Sequence, residues 1–312
     1  MADHSASATA ASIQQLPEAK LLPDGPTDAI SALQYLPQSS SSSSSFLLAS
    51  TSWDGTVRIH DTAQSQLVLA HAMESGPLLS LTTTIDDETV VTGGMDGSIR
   101  RLNVHSKTAA AAPEIIGRHE AAGSSNGNND STSNACRCLG SLSADDSSSG
   151  SPVIVSAGWD QTFHVWDIRQ SSSRPKPAAT VPLPGKAFAM DVDPTHARVV
   201  IATSDRRIVL VDVRKGTTAP LEANVMLDRE SSLKFQTRAV RFFPGGDGLA
   251  IGSIEARVAI EYLEELGLPP KGKKYAFKCH RVGDRVYPVN CIEFHRTYGT
   301  FATGGCDGTV GT

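Results

Sequence analysis

The chain has 312 residues, and its 28 Lys plus Arg against 33 Asp plus Glu give a formal net charge of −5. That length allows one large all-β domain or two smaller ones, and the acidic balance argues against a general nucleic-acid surface. No apolar run reaches the roughly 18–20 residues of a membrane span, and the opening MADHSASATAAS has no basic stretch leading into an apolar core.

Residues 1–26 are polar, aperiodic and rich in Ala, Ser and Pro, the composition of a disordered tail. A first group of short β-type runs follows: AISALQYL from Ala29, FLLAST, TVRIHD and LVLAH. The serine run at 39–45 sits between the first two and reads as a flexible surface loop, because a serine homopolymer buries no apolar area. LLSLTTT, TVVTGG and SIRRLNV form a second group, with Asp86-Asp87 as a polar turn. A low-complexity insertion at 121–134 precedes the third group, ACRCLGSL, PVIVSAG and TFHVWDIR, which a Ser-rich loop at 145–151 interrupts. Residues 170–185 are Pro-rich, as expected of a loop carrying an edge strand. The fourth group is KAFAMDV, RVVIATS and RIVLVDV. RAVRFFP, GLAIGSI, RVAIEYL and YAFKCHR make the fifth, and PVNCIEFH, TFATGG and GTVGT the sixth.

Each group carries one related word: TSWDGTVRIHD, GGMDGSIRRLN, SAGWDQTFHVWDIR, TSDRRIVLVD, SIEARVAIEY and GGCDGTVGT. Aligned on the turn acid (Asp54, Asp96, Asp160, Asp205, Glu255 and Asp307), the steps are 42, 64, 45, 50 and 52 residues. Removing an insertion of about 14–20 residues from the long step restores the period of roughly 40–45 that marks WD-type blades. The expected fold is therefore an all-β, WD-repeat β-propeller over residues 27–312. A closed ring needs the outer strands of the sixth blade and a further blade. About five and a half blades are expected here, with unpaired strand edges at both ends.

Only the third repeat holds all four members of a buried hydrogen-bonded network, His119, Ser156, Asp160 and Trp166. His119 and Asp160 could be read as a catalytic pair. The structural reading is preferred, because the repeats keep the turn acid with no nucleophile beside it. No nucleophile elbow, phosphate loop or zinc-protease motif is present, so no catalytic residue and no cofactor is assigned. Cys136 and Cys138 have no matching second pair, so no metal site is assigned and the five cysteines read as reduced, buried thiols. The residues just before each turn acid are Trp53, Met95, Trp159, Ser204, Ile254 and Cys306, and a propeller brings them to one rim. Two readings of Trp53 and Trp159 are open: indoles folded over their own turns, or anchors of a peptide-binding face. Arg229, Lys234, Arg238, Lys273 and Lys274 flank the fifth group and are expected to converge on one rim, suited to carboxylate or phosphate.

SSLKFQTRAVRFFP, GSIEARVAIEYL, KKYAFKCHR and YPVNCIEFH…TFATGGCDGTV together resemble the spindle-checkpoint WD-repeat family called Bub, in its third member, from about residue 27 to the end. The resemblance implies a seven-blade propeller with about one and a half blades absent here. It implies a nuclear protein that joins kinetochores in mitosis, a monomeric propeller within heterocomplexes. Its partners would be the acidic hook motifs of checkpoint kinases or pseudokinases and a kinetochore scaffold phosphorylated in Met-Glu-Leu-Thr motifs. Carried over by motif, Trp53, Trp159 and Phe188 would pack on the hook and Arg229 would pair with its carboxylates. Arg238 with Lys273 or Lys274 would hold the phosphothreonine. The chain departs from the family at Ala256, where glycine is favoured, and in the insertion 121–134, expected to be a flap beside Trp159. Two alternatives stand. One is the sibling family of messenger-RNA export factors, which bind a nucleoporin hook. The other is a cullin ubiquitin-ligase receptor, suggested by WDIR at 166–169 and VDVR at 211–214, with ubiquitin as a further partner.

Overall fold

The structure, a computed structural model, describes residues 20–37, 46–74, 76–84, 89–104, 113–120, 134–143, 152–168, 176–213, 224–267 and 272–312. The expected loops at 39–45 and 145–151, and all of the insertion but Asn134, lie outside these residues, as does most of the N-terminal tail. The described chain is all β apart from a short 3-10 turn at Glu264–Leu266.

Six antiparallel sheets follow one another. Blade one is β1 (Ile30–Tyr35), β2 (Leu47–Ser52), β3 (Thr56–Asp61) and β4 (Gln66–Ala72). Blade two is β5 (Leu78–Thr83), β6 (Thr89–Gly94), β7 (Ser98–Asn103) and β8 (Glu114–Arg118). Blade three is β9 (Cys136–Ser143), β10 (Pro152–Gly158), β11 (Thr162–Asp167) and β12 (Ala179–Pro182). Blade four is β13 (Ala187–Asp193), β14 (Arg198–Thr203), β15 (Arg207–Asp212) and β16 (Val225–Glu230). Blade five is β17 (Thr237–Phe242), β18 (Gly248–Ser253), β19 (Arg257–Tyr262) and β20 (Tyr275–Lys278). A two-stranded hairpin, β21 (Arg281–Val282) with β22 (Arg285–Val286), leads into blade six. That blade has three strands: β23 (Val289–Phe294), β24 (Phe301–Gly305) and β25 (Val310–Gly311). The six-bladed all-β propeller agrees with the repeat count.

Sequence pattern follows position in the blade. The second strands of blades four and five, RVVIAT and GLAIGS, are buried at every residue, because neighbouring blades cover both of their faces. The outermost strands of blades one and four alternate exposed and half-buried residues, as an edge with one covered face does. The core lies between blades. Ile59, Leu78 and Val90 join blades one and two, and Ile99, Ile154 and Trp166 join two and three. Phe163, Ala187 and Ile201 bridge three and four, Ile208, Val240 and Ile251 four and five, and Val258, Val289 and Ile292 five and six. Innermost strands sit side by side from β1 through to β23, and no comparable packing joins β23 back to β1 among the described residues. Leu33 and Tyr35 on β1 are consequently both 57% exposed.

A candidate binding face at the strand turns

The turn between second and third strands is built alike in all six blades. The residue after the turn acid has positive φ each time: Gly55, Gly97, Gln161, Arg206, Ala256 and Gly308. Glycine adopts that conformation freely, whereas Gln161, Arg206 and Ala256 hold it under strain. In four blades the aspartate accepts the N–H two residues on, from Thr56, Ser98, Thr162 and Thr309, at 3.0–3.2 Å. The residue before the acid donates its own N–H to the carbonyl at the start of the first strand. Trp53 bonds Ala29, Met95 bonds Pro77, Trp159 bonds Ala135, Ser204 bonds Lys186, Ile254 bonds Gln236 and Cys306 bonds Pro288, at 2.8–3.1 Å. This sixfold bond fixes those six residues at one end of the blades.

A second sixfold feature lies beside it. Every first strand carries a bulge near its start, and the extra residues are Ser31, Leu79, Arg137, Phe188, Arg238 and Asn290. Bulges interrupt the ladder and re-aim a side chain. Phe188 and Arg238 thus occupy equivalent positions at the same end as the two tryptophans. Trp53 is 44% exposed, Trp159 and Phe188 are half-buried, and Arg238 is exposed. The Lys186 ammonium lies 5.9 Å from the centroid of the Trp159 ring.

The network of blade three is present with all four expected members. His119 Nε2 is 2.8 Å from Ser156 Oγ, His119 Nδ1 is 2.9 Å from Asp160, and Trp166 Nε1 donates to Ser156 Oγ at 2.8 Å. Two residues join it. Thr162 donates its hydroxyl to Asp160 at 2.6 Å, and His164 Nε2 lies 2.9 Å from Thr162 Oγ1. Burial, and then the neighbouring His119, depress His164 to about 4, so it is a neutral ring at physiological pH. Burial would lift the Asp160 carboxyl, but hydrogen bonds from His119 and Thr162 outweigh it and hold the group below its ordinary value. Ser156, His119 and Asp160 have the chemistry of a nucleophilic relay, yet Ser156 is fully buried and its oxygen already accepts from Trp166. His119, Asp160 and His164 also place ligand-type atoms within 4.8 Å of one another. The hydrogen bonds they make within the protein mark a structural tie instead of a metal seat. Gly158 is required here, since a Cβ would stand 2.5 Å from both His119 Nδ1 and Asp160 Oδ1.

A shorter version in blade six was not read from the sequence. His280 Nδ1 lies 3.0 Å from Asp307 and His280 Nε2 lies 2.9 Å from Thr303 Oγ1. The signal was the His-to-acid separation, 27 residues here against 41 in blade three, which agree once the insertion at 121–134 is left out, and it was further obscured because Thr303 stands in place of serine.

Three expectations need correction. Arg229 is not offered on the rim: it lies on β16 with its Nη2 2.6 Å from Glu261 Oε2, a carboxylate buried in the next blade, and Nε 3.7 Å from Glu265. A buried carboxylate takes the nearest cation, which the charge run alone could not reveal. Arg238 and the pair Lys273 and Lys274 do not converge. Thr237, beside Arg238, pairs with Ser253 at the turn end, whereas Tyr275, beside Lys274, pairs with Ile260 at the other end of blade five. About four residues of strand, roughly 13 Å, separate those levels. Basic residues that share the end of Arg238 include Arg257, its ladder partner Lys278, and Arg281, whose Nη2 donates to the Glu255 carbonyl at 2.8 Å. Finally, Cys136 and Cys138 are buried as expected, but Cys279 is half-buried and Cys291 and Cys306 are exposed on blade six. The arginines of the two ligase-docking boxes, and the flap, lie outside the described residues.

Six repeated sheets with a sixfold turn bond define a WD-repeat β-propeller. Consistent with this, the family model described as WD domain, G-beta repeat matches residues 19–61 and 273–311. The chain is 35% identical over 289 residues to the mitotic checkpoint protein bub3 of Dictyostelium discoideum, covering 91% of this chain and 75% of that one. It is 35% identical over 294 residues to the mitotic checkpoint protein BUB3.1 of Arabidopsis thaliana, covering 93% and 75%. It is also 33% identical over 290 residues to a poly(A)+ RNA export protein of Schizosaccharomyces pombe, covering 91% and 71%. The chain belongs to the WD-repeat family that comprises the Bub3 mitotic checkpoint proteins and the RNA export factors.

Proposed function

We propose that this chain is a non-enzymatic scaffold of the spindle assembly checkpoint, working in the nucleus and at mitotic kinetochores. Its turn face would bind the acidic hook of a checkpoint kinase and a Met-Glu-Leu-Thr motif phosphorylated on threonine. The observation that carries this reading is Trp53, 44% exposed on the rim that also holds Trp159 and Phe188, where core packing does not call for an indole. Aromatic anchors of this kind contribute about 2 kcal/mol or more each when a partner buries them. Arg238 is the proposed phosphothreonine ligand. Arg257 takes the place earlier expected for Lys273 or Lys274, because it shares the end of the blade with Arg238.

A second reading is favoured by the relatives named as RNA export proteins, the fission yeast one and a Chaetomium thermophilum factor at 31% identity. The two readings separate in an anisotropy titration with two labelled hook peptides, one from a checkpoint kinase and one from an export nucleoporin. Tighter binding of the kinase hook, lost in Trp159→Ala, supports the checkpoint role. Preference for the nucleoporin hook moves the assignment to export. In the same assay Arg238→Ala is expected to weaken a phosphorylated Met-Glu-Leu-Thr peptide by about 2 kcal/mol, the scale of a charge-assisted hydrogen-bonded pair, and to leave the unphosphorylated peptide unchanged.

A further inference from the structure

With Arg229 engaged inside the fold, the cation that meets an acidic peptide has to be sought elsewhere on the turn face. Several cations near the rim already have a carboxylate: Arg58 pairs with Asp54, Arg100 with Asp96, Arg206 with Glu230 and Arg257 with Glu255. Of the others, Arg137 donates to the Leu79 carbonyl, and Arg238, Lys278 and Arg281 stand together on blade five, beside the proposed phosphothreonine site. Lys186 is not among the ion-paired cations of the described residues. Its backbone is clamped at both ends, its N–H donating to Ser204 Oγ at 3.1 Å and its carbonyl accepting the Ser204 N–H at 2.8 Å. The nearby Asp205 carboxylate turns instead to the Ser204 hydroxyl, 3.3 Å away. The Lys186 side chain is exposed and leans over the Trp159 indole, ammonium 5.9 Å from the ring centroid. Trp159 Nε1 is a buried donor with no acceptor among the described residues. An exposed ammonium with no ion pair among the described residues therefore stands beside the Trp159 ring at the seam of blades three and four, open to an anionic oxygen.

We infer that Lys186, with the Trp159 indole beneath it, is the specificity-determining subsite for a carboxylate of the bound peptide. This deepens the peptide-binding reading above and rests on it. The apolar part of the peptide would lie on Trp53, Met95 and Trp159, and its acidic residue would follow in chain at blade four. The order of residue types around the rim thus sets the direction in which a peptide can lie. A lysine suits this role, since its long stem covers the indole while the charge stays in solvent.

The test uses the labelled kinase hook peptide and a second copy with its glutamates changed to glutamine, titrated into the full chain. Lys186→Met keeps the aliphatic cover on Trp159 and removes the charge. It is expected to weaken the acidic peptide about 5–10-fold at low salt, to leave the glutamine peptide unchanged, and to lose most of its effect at high salt. Lys186→Glu should weaken the acidic peptide further. If Lys186→Met binds the acidic peptide like wild type while Trp159→Ala abolishes binding, the lysine inference falls and the peptide-binding reading stands. If Lys186→Met weakens both peptides equally, Lys186 acts by packing and the charge assignment is wrong. If wild-type protein, folded by its cooperative melt, binds neither peptide, both readings fall.

Discussion

Each blade turn rests on one acid and on one residue with positive φ, so single substitutions there should have measurable effects. Ala256 has a φ of 56° and a fully buried Cβ. Ala256→Gly is expected to stabilise the fold by about 1 kcal/mol, read as a higher urea midpoint, because glycine meets no Cβ penalty in that region. Gly158→Ala should act the other way, costing about 2 kcal/mol or more, since its Cβ collides with two members of a buried network. His164 supplies a pH dependence. Four residues after the turn acid, blades one and two carry Arg58 and Arg100, and blade three carries His164. The folded ring titrates at about 4 and the unfolded one near 6.5, so the unfolded chain binds the proton first as pH falls. Stability from this group is full above the unfolded value and drains away as pH drops from 6.5 towards 4. Asp191 opposes it, because burial raises that carboxyl to about 6 and the neutral acid favours the folded state. His164→Arg removes the first effect and leaves the second. Its urea midpoint should hold or rise between pH 6.5 and 4.5 relative to wild type; an unchanged difference across that range would show that His164 carries no linkage.

Between elements, one packing problem is solved in two ways. At two seams the outer strand of one blade lies over the third strand of the next. Gly117, which pairs with Ile99, lies over the Trp166 ring so closely that a Cβ would meet it at 2.8 Å. Arg229, which pairs with Ile208, holds the same register position in blade four, and Glu261 stands where Trp166 does. A bulky indole thus faces a glycine at one seam, and at the other a long cation faces a carboxylate also bonded by the Ser232 N–H at 3.2 Å. Arg229→Ala and Glu261→Ala should each cost about 2–3 kcal/mol, because either leaves a mostly buried charge unpaired. The double change Arg229→Gly with Glu261→Trp imports the other seam's solution and should cost less than the two alanine variants summed. Additive losses in urea unfolding would mean that the pair is not coupled.

At the scale of the whole molecule, Arg241 ties three blades around the central channel. Its Nη1 is 3.5 Å from Asp191 on blade four and its Nε is 3.2 Å from Glu293 on blade six, while Asp191 also accepts the Phe242 N–H at 2.7 Å. Arg241→Met should lower global stability by about 2 kcal/mol and broaden the thermal transition, as blades four to six lose a shared partner. Much of the architecture is legible in the chain itself. The turn words and their near-constant spacing are local features, so the repeat number, the strand order within blades and the family follow from residues adjacent in sequence. The His119–Ser156–Asp160–Trp166 network was legible for the same reason, each member lying at a characteristic offset within one repeat. The outer strands β8 and β16 were not, because EIIGR and VMLDRE are edge segments with little apolar pattern. What only the tertiary structure decided is which charges meet. Arg238 and Lys274 belong to one blade yet lie at opposite ends of its strands, Arg229 finds Glu261 across a blade seam, and Lys186 reaches Trp159 from the neighbouring repeat. Side-chain charge acts through space over a few ångströms, and the sheet's antiparallel path, not distance along the chain, sets which residues come that close.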